Sequence, residues 1–257
     1  MVMMITHNEV KEYYDDRYVA DLMSKVKVYQ LREGVRPIDA YHKIIEVLGL
    51  DIGKDAGKKI LDVGCGRGYF LYLAGQKGLE TYGIDISSEG VELAKVNSHR
   101  SKLHVGPGED LSMFKNNFFD YVVCLGSLEH FLEKDKALSE MYRVGKENCR
   151  YVIMPTNMNF ILWKFKRGGT HQQNVMETLM PLEGWRALLE RNKFKILEVL
   201  PDDYNFTIPI FKDHRPLWIL RRLILRLIGY MIPLYYAFQF IFVCEKTNAN
   251  VNANAPE

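Results

Sequence analysis

The pattern of apolar and polar positions alternates between short apolar runs and amphipathic stretches. The runs predict buried strands, and the stretches that follow most of them predict helices. The predicted strands are 59–63, 81–84, 103–105, 121–125, 150–154, 194–200 and 238–244. The predicted helices are 69–76, 89–97, 134–144 and 182–190. This order predicts an α/β fold with a mostly parallel sheet and helices on both faces.

Three segments lie outside this alternation. Residues 1–50 carry apolar positions at helical spacing and predict a helical N-terminal segment, which we interpret as a lid. Residues 201–236 form a hydrophobic insertion before the last strand. Residues 247–257 are mostly Asn and Ala, which predicts a disordered tail. We therefore expect a single domain over residues 1–246.

Composition narrows the class of protein. The formal net charge is only +2, so no basic field indicates nucleic acid as a partner. The four cysteines are far apart and form no Cys-x-x-Cys pair, which argues against a zinc site or a disulfide framework and favours a reducing cytoplasm. We assign no metal ligands. The apolar start, residues 1–6, is too short for a secretion signal.

Glycines follow the first predicted strand directly, in the spacing Gly64-x-Gly66-x-Gly68. At the end of a parallel strand, glycines let the backbone approach a ligand closely. A dinucleotide fingerprint would need a third glycine where Tyr69 stands. Asp62, two residues before the glycines, would repel a pyrophosphate and suits a cation. The spacing therefore favours a cofactor without phosphates.

Acidic residues continue this pattern downstream. Asp85 ends the second strand about twenty residues past the loop, where an acid can accept both ribose hydroxyls. Ile86 follows and could cover one face of an adenine. Two further motifs are Gly106-Pro-Gly-Glu-Asp-Leu111 and Phe119-Asp-Tyr-Val-Val-Cys-Leu-Gly-Ser-Leu-Glu-His130.

In this order the motifs resemble those of the class I S-adenosylmethionine-dependent methyltransferases. The resemblance covers residues 59–154 and, more loosely, the strands up to Cys244. It implies a Rossmann-like seven-stranded sheet whose last strand is antiparallel, with S-adenosyl-L-methionine as the cofactor. The cofactor-binding residues that it implies are Asp62, Gly64, Gly66, Gly68, Asp85, Ile86, Glu109, Asp110 and Leu125. Pro107 stands where many relatives have an acid, so the adenine contact falls to Glu109, Asp110 or backbone.

Two histidines are candidates for handling the methyl acceptor. His130 follows the fourth strand, and an imidazole, with an ordinary pKa of about 6.5, suits a general base at neutral pH. The alternative is that Glu129 and His130 only order the loop beside the cofactor. His171, with Gln172 and Gln173, lies in the long connection after the fifth strand and could recognise a polar acceptor such as a sugar hydroxyl. The alternative is a solvated loop.

The insertion carries a basic amphipathic pattern over residues 215–236. Arg215, Arg222 and Arg226 fall near one helical face, and Trp218 lies among the leucines of the rest. Three interpretations compete: a transmembrane span, a lid or dimer surface, and peripheral contact with a membrane. The arginines and a proline interrupt the stretch, which argues against a span.

We therefore expect a cytoplasmic methyltransferase, with membrane-surface association kept open. Its acceptor would be a small molecule, a glycan or a lipid-linked compound, with a hydroxyl preferred. The alternatives are a protein or nucleic-acid methyltransferase and a non-catalytic, membrane-associated cofactor-binding protein. The neutral charge and Leu-Gly-Ser-Leu at 125–128, in place of an Asn/Asp-Pro-Pro-Tyr type of motif, argue against methylation of a base amino group. The oligomeric state stays open.

Overall fold

A mixed sheet forms the centre of the protein. The computed structural model describes residues 5–23, 41–160, 177–202 and 233–247. Within these ranges the sheet has seven strands, β1 (Lys59–Val63), β2 (Glu80–Asp85), β3 (Lys102–Val105), β4 (Phe119–Leu125), β5 (Gly145–Met154), β6 (Phe194–Pro201) and β7 (Phe240–Lys246). Their order is β3-β2-β1-β4-β5-β7-β6. The first five pair in parallel, and β7 runs antiparallel to both β5 and β6. This confirms the predicted fold class.

Helices connect and cover these strands. They are α1 (His7–Met23), α2 (His42–Leu48), α3 (Ile52–Asp55), α4 (Tyr69–Gln76), α5 (Ser88–Asn97), α6 (Lys134–Val144) and α7 (Leu182–Arg191). Short 3-10 helices span Leu128–His130 and Leu234–Tyr236. α1 and α2 bear out the helical prediction for the parts of residues 1–50 that the structure describes. Residues 24–40 lie outside those parts.

Apolar side chains are buried on both faces of the sheet, as expected for a sheet with continuous apolar strands. On one face, Leu61 and Val63 of β1 pack in a core with Trp185 of α7. On the other face, Ile60 packs in a second core with Phe70 of α4. The alternation along β1 therefore directs successive side chains into different cores, which fixes the register of the strand that precedes the glycine loop.

Only β1 has the predicted bounds. The strands β2, β3, β4 and β6 extend one or two residues beyond theirs at one or both ends, and β5 and β7 differ most. β5 begins at Gly145 rather than at residue 150, because Gly145 pairs with Phe119 across a register shift in the polar first half of the strand. β7 begins and ends two residues later than predicted, because Lys246 pairs with Phe194 and is buried. Both differences arise from pairing with a phenylalanine of another strand, which an apolar run does not reveal.

The predicted insertion lies mostly outside the described residues, which stop at Asp202 and resume at Pro233. Its alternatives therefore stay predictions. Of the helices in the described ranges, none is both long and apolar enough to cross a membrane.

Candidate active site at the carboxyl edge of the sheet

The carboxyl ends of β1, β2, β4 and β5 lie along one edge of the sheet. β1 is flanked by β2 on one side and by β4 on the other, so the order of the strands reverses between β1 and β4. In open α/β sheets, ligands bind outside the carboxyl ends of the strands at such a reversal. The predicted cofactor residues lie at or after the carboxyl ends of β1, β2, β3 and β4, along this edge of the sheet.

The glycine loop is held tightly against the neighbouring strand. The backbone N–H groups of Gly64 and Cys65 both donate to the carbonyl oxygen of Ile84, at 2.8 and 3.0 Å. Gly64 has φ +80°, and a Cβ there would collide with the side chain of Ser127. Gly66 has φ +47°. Left-handed backbone and close approach together explain why glycine stands at these positions.

Asp85 holds the same loop from the end of β2. One of its carboxylate oxygens accepts the backbone N–H of Gly66 at 2.8 Å, and the other accepts that of Ser87 at 2.9 Å. Burial raises the pKa of Asp85, while these two hydrogen bonds oppose the increase. Each oxygen keeps acceptor capacity for a further donor. The predicted ribose contact stays a prediction, and the structure adds a role in shaping the loop.

Asp62 lies beneath the loop and is only 3% exposed. Its Oδ1 atom is buried without a hydrogen-bond partner. Burial, and then the charge of Asp85, raise the pKa of Asp62 to about 8. A buried carboxyl group with an unpartnered oxygen is costly unless a ligand supplies a donor or a cation. Once ionised, this carboxylate fits the ammonium group of S-adenosylmethionine and would repel a phosphate.

Helix α1 packs across the loop from above. The carboxylate of Asp15 accepts hydrogen bonds from the hydroxyl of Ser87 at 2.6 Å and from the N–H of Glu89 at 3.3 Å, at the start of α5. The ring of Tyr18 contacts Gly90, and its hydroxyl lies directly over Gly66. The predicted N-terminal helix is therefore at the site. The fixing role of Asp15 has no signal in the sequence, because its partners lie more than seventy residues away.

The remaining predicted cofactor residues differ in burial. Glu109 is buried, and its Oε1 atom accepts the backbone N–H of Leu132 at 2.8 Å. Asp110 is exposed and accepts the N–H of Ser112 at 3.0 Å. Ile86 and Leu125 are half-buried, at the ends of β2 and β4. Their contacts with the cofactor stay predictions.

A buried polar network lies at the end of β4 and β5. Glu129 is 1% exposed, and one of its carboxylate oxygens accepts a short hydrogen bond from the hydroxyl of Thr156. The amide of Gln239 donates to the same hydroxyl oxygen at 3.1 Å. Burial raises the pKa of Glu129, and the Thr156 hydroxyl opposes this. Thr156 and Gln239 were not among the predicted site residues, since each sits after or before an apolar strand without any motif.

His130 lies beside this network and faces helix α1. The imidazole makes an edge-to-face contact with the ring of Tyr14, with centroids 5.9 Å apart. Burial, and then the charge of Glu129, raise the pKa of Tyr14 far above its ordinary value, so its phenol stays protonated. The structure thus brings Tyr14, Glu129 and His130 together. His171, the other predicted catalytic residue, lies outside the described residues.

The comparisons with known proteins find similarity to methyltransferases. Residues 61–153 match the family model described as a methyltransferase domain. A ubiquinone biosynthesis O-methyltransferase of Azoarcus sp. (strain BH72) is 31% identical over 114 residues, which is 43% of this chain and 49% of the relative. Norajmaline N-methyltransferase of Rauvolfia serpentina is 33% identical over 103 residues, 38% of this chain and 35% of the relative. The chain thus spans about half, or less, of the curated relatives that it matches.

Solved structures share the fold across almost the whole chain. Magnesium protoporphyrin IX methyltransferase of Synechocystis PCC 6803 aligns with a TM-score of 0.64 at 16% identity, covering 94% of this chain and 100% of that one. The cyclase SpnF aligns with a TM-score of 0.62 at 19% identity, covering 94% and 96%. At such identities the likeness establishes the fold alone, and these two names show that the fold serves different reactions.

The fold and the glycine loop with Asp62 and Asp85 define an α/β domain whose site fits S-adenosylmethionine. Residues 61–153 match the methyltransferase domain model, so this part of the chain is similar to the methyltransferases named above.

Proposed function

We propose that this protein transfers a methyl group from S-adenosylmethionine to a hydroxyl group of a small molecule. The observation that carries the proposal is one arrangement at the carboxyl edge. A buried carboxyl group with an unpartnered oxygen, Asp62, lies on the cofactor side, and the imidazole of His130 follows the adjacent strand. The similarity to an enzyme named as an O-methyltransferase supports a hydroxyl acceptor.

The cofactor side requires little chemistry from the protein. S-adenosylmethionine supplies an electrophilic methyl group on a sulfonium, so the protein has to position the reactants and exclude water. Gly64 and Gly66 leave space for close approach of the backbone. Asp62 would hold the ammonium group, and Asp85 would bind the ribose while it fixes the loop.

Helix α1 would exclude water. Asp15 attaches it to the start of α5, and Tyr14 and Tyr18 direct their rings towards His130 and the glycine loop. The cofactor and the acceptor both need an entry path beneath or beside this helix. We therefore expect α1 to move away and return during each turnover, as lids do in other enzymes.

A hydroxyl acceptor has a proton to lose as the methyl group arrives. The imidazole of His130 is the base nearest to this role among the predicted residues that the structure describes, and Tyr14 packs against its edge. Because the phenol of Tyr14 stays protonated, it would donate a hydrogen bond or pack against the acceptor, and it would not act as the base.

The proposal is tested by incubating the full chain with S-adenosylmethionine and a panel of phenols, aliphatic alcohols and amines, with products detected by mass spectrometry. We expect methylated phenols, with a higher KM for the cofactor in Asp62→Asn and a rate at least tenfold lower in His130→Gln. Glu92→Gln, an exposed acid on α5, is the matched control and should leave the rate unchanged. Failure to methylate any member, together with unmeasurable cofactor binding, would refute the proposal.

An amine acceptor is the second candidate, favoured by the similarity to an enzyme named as an N-methyltransferase. The same panel separates the two. Preference for amines, with a rate insensitive to His130→Gln and rising as the amine loses its proton, would replace the hydroxyl proposal.

We further propose that the basic face of the insertion contacts a membrane surface. Arg222 and Arg226 fall on one helical face of the sequence beside Trp218. The test is flotation with vesicles containing anionic lipid, comparing the full chain with the Arg222→Glu/Arg226→Glu double variant. Lys95→Glu, on the exposed face of α5, is the control. Binding that is lost only in the double variant supports the contact, and equal binding by all three proteins ends the proposal.

A further inference from the structure

Three metal-ligating side chains meet beside the proposed acceptor position. Glu129, His130 and Glu177 each offer one ligand atom, and these atoms all lie within 4.8 Å of one another. Glu129 and His130 belong to the 3-10 helix after β4. Glu177 reaches them from the segment before α7, and the backbone N–H of the next residue, Thr178, donates to the carbonyl oxygen of Glu129 at 2.9 Å. A backbone hydrogen bond therefore keeps the two segments together, independently of the carboxylates.

The carboxylate of Glu129 provides a separate indication of a ligand. The residue is 1% exposed, and its Oε2 atom is buried without a hydrogen-bond partner. Its other oxygen is fixed by the hydroxyl of Thr156, which is itself fixed by the amide of Gln239. Successive hydrogen bonds of this kind orient ligating carboxylates in metal sites. A buried, oriented and unsatisfied carboxylate oxygen is costly without a partner, and a cation would supply one.

We propose that Glu129, His130 and Glu177 bind one divalent transition-metal ion. Two carboxylates with a neutral imidazole carry two negative charges, which match a dication. Oxygen and nitrogen donors without thiolate suit Mn²⁺, Zn²⁺ and Co²⁺. Three protein ligands leave coordination positions open, as in catalytic rather than structural sites. The spacing of the cysteines predicts no metal ligands, but no cysteine belongs to the proposed site.

The ion would change how the acceptor is activated, and this step rests on the proposed function. An acceptor hydroxyl bound at an open position would lose its proton more readily, because the cation stabilises the oxyanion. His130 would then act as a ligand instead of the base, and the proton would pass to solvent. Binding of the ion is measured without acceptor or turnover, so it can fail or succeed separately from methyl transfer.

The test uses the full chain, stripped with EDTA and titrated with Co²⁺ and, separately, with Zn²⁺ in a calorimeter. We expect one site per chain and a visible absorption spectrum of Co²⁺ bound to nitrogen and oxygen. Glu129→Gln and Glu177→Gln should each weaken binding at least tenfold and change the spectrum. Glu183→Gln, an exposed acid at the start of α7, is the control.

Glu177 is half-buried, so its variant tests the site even if Glu129→Gln lowers stability. Circular dichroism of both variants without metal checks that they fold, and S-adenosylmethionine binding checks that the cofactor side is intact. Equal affinity and an unchanged Co²⁺ spectrum in folded Glu177→Gln would overturn the proposal, as would the absence of binding to the wild-type chain. Binding lost in the variants while methyl transfer is undetected would uphold the metal site and reject the proposed function.

Discussion

Replacing Asp62 by Asn tests the cofactor side most directly. The side chain is 3% exposed, its Oδ1 atom has no partner, and its pKa is raised to about 8. Asn keeps the shape and removes the ionisable group. We expect Asp62→Asn to fold normally, to bind S-adenosylmethionine more weakly, and to lose a proton release that accompanies binding in the wild type.

The magnitudes follow from the pKa of about 8. At pH 7 about 0.9 of the Asp62 side chains carry a proton, and ionising them costs about 1.4 kcal/mol; at pH 6 the cost is about 2.7 kcal/mol. A hydrogen bond between charged groups contributes about 1.5–3 kcal/mol. The ammonium group of the cofactor therefore gains little from Asp62 at pH 6. By pH 8 the wild type should bind about tenfold or more tightly than the variant.

The assay is calorimetry at pH 7 in buffers of different ionisation enthalpy, repeated as affinity measurements from pH 6 to 8. Wild-type binding should release about 0.9 proton more than binding to Asp62→Asn, and Glu92→Gln should match the wild type. Protons from the cofactor itself contribute equally to all three. Without cofactor, the wild type should lose stability relative to the variant as pH rises from about 4 to 8, because the folded state holds the proton more tightly. Equal proton release in wild type and variant would refute the reasoning.

Three further perturbations test the scaffold. Gly64→Ala combines a φ of +80° with a collision at Ser127, whereas Gly57→Ala has φ +79° and open space around the new Cβ. Urea denaturation should therefore show that the free energy of unfolding falls by about 1 kcal/mol in Gly57→Ala and by at least about 1 kcal/mol more in Gly64→Ala. Equal losses in the two variants would contradict the collision. Burial would raise the pKa of Asp120, but hydrogen bonds from a lysine side chain and a backbone N–H lower it. The wild type should therefore lose stability below about pH 4, and Asp120→Asn should lose less over the same range; parallel curves would contradict this. Asp15→Asn weakens the attachment of α1 to α5, so hydrogen exchange in residues 7–23 should accelerate while β1 stays protected; unchanged exchange would show that Asp15 does not fix the helix.

The sequence predicted the strand and the helix that flank the glycine loop better than β5 and β7. β1 and α4 occupy the predicted residues, because their apolar positions are bounded by glycines. The early start of β5 and the late end of β7 come from pairing with Phe119 and Phe194, which lie in strands far away in the chain. Local periodicity carries no information about such pairing.

The cofactor side of the site was predicted from motifs, whereas the contacts around it were not. Asp62 and Asp85 sit at fixed distances from the glycines in the sequence. The attachment of Asp15 to α5 and the contact of Thr156 with Glu129 join residues 72 and 27 positions apart. No spacing rule connects these pairs, since they form only when the carboxyl ends of separate strands meet.

The two ends of the insertion, near residues 201 and 236, are joined by hydrogen bonds, and this matters for engineering and for variation among homologues. The backbone N–H of Asp202 donates to the carbonyl oxygen of Gln239, and Pro201 pairs with Phe240 in the ladder between β6 and β7. The side-chain amide of Asn157 donates to the carbonyl oxygens of Tyr235 and Ala237, both at 2.8 Å. The two ends of the insertion are thus held next to each other by backbone and side-chain hydrogen bonds. Closing a longer loop costs little extra entropy. Insertions of quite different length and hydrophobicity can therefore be exchanged between these two fixed ends without changing the sheet.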